Sequence, residues 1–283
     1  MIFYADKQKK VIEGCANKKM EILNWKELLN PYEQAVTELK LKFENAMNEY
    51  KTLGLYSPIE SVSGRVKKPA SIMDKAKKKN IPNNKIEEEI EDIAGIRIIC
   101  QFAEDIQKVV SLIKRRDGYD LKIVEERDYI TNTKPSGYRS YHVIIKYPIN
   151  SVMGYREILA EIQIRTMAMN FWAVTEHSLK YKYKGNLPDD LKQRLINCAE
   201  AAFNLDNEMS TIRNEIAYAL RINKIKDNLI AGIIDNIQNL YFMTKLDDME
   251  DINKQFVDLW NDGDIEKLKQ FNEKLSAMAA LYR

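Results

Sequence analysis

Cysteine is scarce in this sequence. The 283 residues contain Cys15, Cys100 and Cys198, scattered and without a C-x-x-C pair, which argues against a disulfide framework or a structural zinc site and for a reduced, cytoplasmic setting. Histidine is scarcer still: with His142 and His177 alone, a multi-histidine metal centre is not expected and neither is assigned as a ligand. No run of about 18 apolar residues occurs, and the N-terminal MIFYADKQKKVIEG has no apolar core, so neither membrane spanning nor secretion is expected. An excess of either charge is also missing. With 44 Lys+Arg against 42 Asp+Glu, any recognition of phosphate must come from local clustering. G-x-x-x-x-G-K-[ST] is absent, which excludes a P-loop, and no internal repeat is visible.

Enough apolar sequence is present, 45% of residues, to bury one large domain or a domain with an appendage. Residues 1–18 read as a polar leader. Asn30-Pro31 reads as an N-cap with proline at the first helical position, followed by Tyr32, Ala35, Val36, Leu39, Phe43, Ala46, Met47 and Tyr50 at helical spacing, about five turns. SGRVKKPASIMDKAKKKN gives a glycine, a basic loop and a helix over 70–79. Strand character marks 93–102, 121–129, 141–147 and 156–165, with a helix over 105–115 and the turn-rich TNTKPSGYRS between them. From Thr166 onward helical periodicity takes over. The expected organisation is leader 1–18, a domain over 19–216 and a helical C-terminal extension over 217–283.

Four segments carry candidate chemistry. In EILAEIQIR, alternation sends Glu157, Leu159, Glu161, Gln163 and Arg165 to one face and Ile158, Ala160, Ile162 and Ile164 to the other. An acid, an amide and a guanidinium in a row suit a ligand or metal, or equally the solvated face of an edge strand. EDIAGIRIICQF places Asp92 before a strand and Arg97 within it. Their odd spacing puts them on opposite faces unless Gly95 allows a bulge. GRVKKPASIMDKAKKK supplies Arg65, Lys67, Ser71, Lys75 and Lys78, the last three on one helical face where they could grip a polyphosphate or simply be solvated. TNTKPSGYRSYH holds Lys134, Tyr138, Arg139 and His142, an aromatic and cations that could meet a base and phosphates, or an ordinary turn.

Taken in order, SGRVKKPASI, EDIAGIRIICQF, RDYITNTKPSGYRSYH and EIQIRTMAMNFWAVTEHSLKYKYKG resemble the synthetase domain of the RelA/SpoT family, above all its single-domain small alarmone synthetases of the RelQ/RelP type, over about residues 25–216. The resemblance implies an α+β fold: a mixed β-sheet of nucleotidyltransferase-like synthetase type surrounded by helices. It implies a GTP pyrophosphokinase of the stringent response, moving the β,γ-diphosphate of ATP to the ribose 3′-hydroxyl of GDP or GTP to make (p)ppGpp. By position, Asp92 and Glu161 would be catalytic and hold Mg²⁺. Arg65 and Arg97 would sandwich adenine, and Lys67, Ser71, Lys75 and Lys78 would contact ATP phosphates, Lys78 standing where arginine is frequent. Tyr138 would stack on guanine, with Arg127, Lys134, His142, Gln163 and Asn170 lining the acceptor side.

The resemblance also implies a homotetramer acting without the ribosome. Nothing here supplies the HD hydrolase domain of the long family members, so no hydrolase activity is expected. Two positions depart from the RelQ pattern for allosteric pppGpp binding. Lys40 is kept, but Glu44 replaces a lysine and Ser61 an aromatic, which predicts weak or absent activation. A toxic relative that pyrophosphorylates the 3′ end of tRNA is the alternative enzyme, and an inactive nucleotide sensor the non-enzymatic one.

Overall fold

The computed structural model describes residues 2–152, 154–183, 187–242 and 246–281, with side chains described from Trp25 on, save at 181, 182, 246–248 and 281. It separates into two compact units, Met1–Ser210 and Thr211–Arg283. The first is built on a mixed five-stranded sheet in the order β1-β2-β5-β4-β3. Its strands are β1 (Ser61–Val66), β2 (Ala94–Cys100), β3 (Lys122–Asp128), β4 (Tyr141–Ser151) and β5 (Gly154–Thr166). β2 and β5 run parallel, and the other pairs are antiparallel.

Alternation divides the sheet into an apolar and a polar face. Ala94, Ile96 and Ile98 of β2, Ala160, Ile162 and Ile164 of β5, and Val143, Ile145 and Tyr147 of β4 are all buried. Helix α1 (Ile2–Thr52) buries Tyr32, Ala35, Leu39 and Phe43 in the same core. Gly64 of β1 allows close approach there, since a Cβ on it would stand 2.6 Å from Val36 Cγ1. α2 (Pro69–Lys79) starts on a proline and ends on Asn80 in the left-handed conformation; it buries Ile72 and Ala76. α3 (Ile86–Glu89) leads to the turn before β2. α4 (Ala103–Lys114) contributes Ile106, Val109, Val110 and Ile113 to the core. α5 (Met167–Lys182) is N-capped by Thr166, whose side chain accepts from the Met169 amide.

Two sequence expectations are corrected and one open alternative is closed. The segment read as a basic loop before α2 begins as a strand: SVSGRV pairs along its whole length with β2. Val62, Gly64 and Val66 alternate, but the polar residues between them hide the pattern. Pro31 does not open a helix but lies inside α1; it withholds one amide from the helical ladder, and packing of the fully buried Tyr32 and Ala35 carries the helix past it. No bulge occurs at Gly95. β2 keeps regular register on both sides, and the one register shift lies in β3 between Ile123 and Glu125.

α6 (Asp189–Tyr241) is unbroken at the expected boundary 216/217. With α7 (Leu246–Asp262) and α8 (Ile265–Leu281) its later turns form the second unit, around Ile233, Leu240, Met249, Ile252, Phe256, Leu268, Phe271 and Leu275.

Candidate active site

Strand register assembles the polar face. One row crosses all five strands as Ser63, Arg97, Gln163, His142 and Arg127, and the next as Arg65, Gly95, Glu161, Ile144 and Glu125. Asp92 joins them from outside the sheet. It sits in the turn preceding β2, so the alternation argument that separated it from Arg97 does not apply. Asp92, Glu161, Arg65, Arg97, Gln163, Ser63 and Gly95 line one cavity of ≈ 120 Å³. Gly95 stands between Arg65 and Glu161 in its row and leaves open the space a side chain would fill.

The two carboxyls are held as anions by different means. Burial would raise the Asp92 pKa, but Lys67 Nζ at 2.6 Å and Lys75 Nζ at 2.7 Å, one on each oxygen, more than offset it, and the value is lowered. Glu161 is 9% exposed. Burial pushes its pKa up as well, and hydrogen bonds from His142 Nδ1 at 2.8 Å and Gln163 Nε2 at 2.7 Å bring it below the ordinary glutamate value. Among the described residues no cluster of three or more His, Cys, Asp and Glu could hold a metal; Asp92 and Glu161 are the carboxylates that share the cavity. Two ionised carboxylates are hard oxygen donors of the kind Mg²⁺ takes, with phosphate oxygens and water completing its shell. The residues fit that ion.

Beside this cavity lies a second of ≈ 570 Å³, lined by Arg65, Lys67, Lys68, Ser71, Lys75 and Lys78 and also by Asp74 and His177. All the polyphosphate candidates thus meet at one place, because α2 turns its Ile72–Ala76 side into the core and its Ser71–Lys75–Lys78 side outward. A third cavity, ≈ 310 Å³, gathers Arg65, Arg97 and Arg165 with Tyr138, Gln163 and His177. Burial, then repulsion from Arg165 and Arg65, lowers the Arg97 pKa, and Arg97 Nε is buried without a hydrogen-bond partner. Crowded cations with an orphaned donor suit an electron-rich ligand.

The acceptor candidates divide. Tyr138, His142 and Gln163 meet at Glu161: the Tyr138 hydroxyl lies 2.8 Å from His142 Nε2. Lys134 Nζ stands 4.0 Å from the Tyr129 ring centroid and 5.0 Å from that of Tyr138, close enough for cation–π attraction. Asn170 leaves a buried Oδ1 without a partner. Arg127 is committed elsewhere: it bonds both Glu91 oxygens at 2.8 and 2.7 Å and also Glu125. His177 and Arg165 were not assigned from sequence. Arg165 shares the polar face of β5 with Glu161, a signal that alternation already carried, whereas His177 reaches the cavities only through the placement of α5. Lys40 and Glu44 pair at 3.5 Å, and Ser61 opens β1 opposite Ile99.

A family model described as a region found in RelA / SpoT proteins matches residues 64–186. The GTP pyrophosphokinase YjbM of Bacillus subtilis (strain 168) is 51% identical over 200 residues, covering 71% of this chain and 93% of that protein. A crystal structure of small alarmone synthetase 1 from Bacillus subtilis bound to its product pppGpp matches with a TM-score of 0.65 and 51% identity, covering 68% of this chain and 98% of the other. The same synthetase bound to AMPCPP gives 0.61 and 47%, over 69% of this chain and 98% of that one. Asp92, Glu161 and every nucleotide candidate named above fall within the matched span.

Proposed function

This chain belongs to the RelA/SpoT family, and from that membership we propose that it is a GTP pyrophosphokinase, transferring the β,γ-diphosphate of ATP to the ribose 3′-hydroxyl of GDP or GTP to make (p)ppGpp. The observation that carries the reading is the meeting of Asp92 and Glu161, from different elements, in one cavity beside the cationic face of α2. A relative whose structures hold its product pppGpp and AMPCPP supports nucleotides on both sides of the reaction.

In this reading Lys67, Ser71, Lys75 and Lys78 hold the ATP phosphates, and Arg65 and Arg97 flank adenine. The Lys67 and Lys75 ammonium groups stand ready to exchange part of their contact with Asp92 for phosphate oxygens. Tyr138, Lys134, Asn170 and Arg127 receive the guanosine acceptor, Arg127 by exchanging carboxylate partners for phosphate. Glu161 accepts the hydrogen bond of the 3′-hydroxyl and takes its proton as the 3′ oxygen forms a bond to the β-phosphorus. The bond from that phosphorus to the α–β bridging oxygen breaks, and AMP leaves. Asp92 and Glu161 would hold Mg²⁺, which when bound supplies positive charge against the phosphate oxygens. Positioning and charge neutralisation account for the rest of the catalysis.

A homotetramer acting in the cytoplasm accompanies this proposal, as the family likeness implies. The pairing of Lys40 with Glu44 supports weak pppGpp activation. Incubation with labelled ATP, Mg²⁺ and, in parallel, GMP, GDP, GTP or tRNA is expected to label the guanosine nucleotides and to show weak or no stimulation by added pppGpp. Labelling of tRNA alone would overturn the reading. Asp92→Asn and Glu161→Gln should each lower the transfer rate by about 10²-fold or more while the circular dichroism spectrum is kept.

A further inference from the structure

Arg165 has no role in the chemistry above, yet it is 4% exposed, and among the described residues it forms no direct ion pair. A buried guanidinium is costly unless its charge and its donors are met. Nε donates to Ser140 Oγ at 3.2 Å. Nη2 donates twice, to the Tyr138 hydroxyl at 2.6 Å and to Gln163 Oε1 at 2.7 Å.

An arginine can only donate, so each bond that leaves Arg165 has a fixed direction, and a hydroxyl that accepts from it still has its own hydrogen to give. On one arm the Tyr138 oxygen accepts from Arg165, leaving its own O–H to donate to His142 Nε2, 2.8 Å away. A His142 Nε2 that accepts carries no hydrogen, so the ring hydrogen sits on Nδ1 and points at Glu161 Oε1, at 2.8 Å. On the other arm Gln163 Oε1 accepts from Arg165, and its amide nitrogen donates to Glu161 Oε2 at 2.7 Å. Both arms leave one nitrogen and end on the two oxygens of one carboxylate. The cation and its counter-charge are thereby joined through intervening side chains rather than in direct contact.

We propose that Arg165 is the positioning residue for Glu161: by donating into both arms it sets the His142 tautomer and the Gln163 amide orientation, so that each Glu161 oxygen receives a hydrogen bond. The carboxylate is then pinned in one orientation, facing the cavity it shares with Asp92. The proposal rests on the functional reading only in taking Glu161 as the reacting carboxylate; the bond polarity does not depend on it.

Glu161 could itself draw the His142 hydrogen to Nδ1, and the test removes that explanation. In Glu161→Gln the amide can donate or accept. Nitrogen-15 NMR of the histidine ring is expected to keep the Nδ1–H tautomer in this variant, because Tyr138 still donates to Nε2. The double variant Glu161→Gln/Tyr138→Phe should show mixed tautomers. A switch to Nε2–H in the single variant, or an unchanged Nδ1–H in the double one, overturns the proposal. In the otherwise native chain, Tyr138→Phe keeps the ring and loses one arm, and kcat should fall about 10- to 100-fold, as for lost second-layer partners of metal ligands, with little change in acceptor KM. Arg165→Lys keeps the charge without the fork and should split kcat from KM in the same way. Unchanged kcat in Tyr138→Phe counts against the proposal. If the wild type transfers nothing, the functional reading fails while the NMR result still decides the polarity.

Discussion

Thr166 works in two directions: its hydroxyl accepts the Met169 amide at 3.0 Å and donates to Asp206 Oδ2 at 2.6 Å. Asp206, 5% exposed, receives among the described residues no cation of the kind that holds Asp92 ionised. Burial therefore dominates, and its pKa is pushed up to about 6. The sign follows from proton binding. Between the ordinary value of 3.8 and about 6 the folded chain holds this proton more tightly than the unfolded one, so stability is lost as pH rises through that window. Asp206→Asn keeps an acceptor for Thr166 and removes the titration. It should melt at a higher temperature than the wild type above about pH 6, and the difference should close towards pH 3.8. Equal melting temperatures at neutral pH would show that burial does not raise the Asp206 pKa in the folded chain.

β1 was hidden in the sequence although it carries Arg65, because what makes it a strand is not local. Its identity comes from the edge of β2 and from Val36 of α1 closing over Gly64. A Cβ at Gly64 would meet Val36 Cγ1 at 2.6 Å and Ile96 Cδ1 at 3.1 Å. Gly64→Ala should therefore cost about 1–3 kcal/mol through overpacking, read as a lower urea midpoint. Val36→Ala in the same chain should recover most of the loss, whereas additive destabilisation would mean that α1 does not press on this strand. The other strands were legible, since Ile-rich alternation shows both where β5 runs and which way Glu161, Gln163 and Arg165 face. Asp92 was not legible in the same way. Its place is set by Lys67 just after β1 and Lys75 on α2, contacts that no spacing within EDIAGIR contains. The aromatic loop was located correctly from its turn residues, but the engagement of the Tyr138 hydroxyl by Arg165 and His142 depends on strand register.

Among the described residues, the largest hydrophobic cluster lies in the first unit and a separate one in the second. The first supports the synthetase sheet; the second, within 211–283, closes around Leu268, which is fully buried, and supplies none of the residues proposed to bind nucleotide. Leu268→Ala should cost about 2–5 kcal/mol and raise amide hydrogen exchange in α7 and α8, with the transfer rate unchanged. Exchange rising equally across β2 and β5 would show instead that the two units unfold together. In the first unit, the row from Ser63 to Arg127 spans about 19 Å at the usual strand spacing of about 4.8 Å, and it exists only while five separate strands stay in phase. This has a genetic meaning. One codon gained or lost within β5 would exchange its two faces, moving Glu161, Gln163 and Arg165 together into the apolar core. Extra codons beside Val152, 99% exposed between β4 and β5, would leave that phase untouched. Point substitution can erode the catalytic face one member at a time, but a single small deletion removes it as a block, so lineages that keep the activity can vary in length at the hairpin and not within the strand.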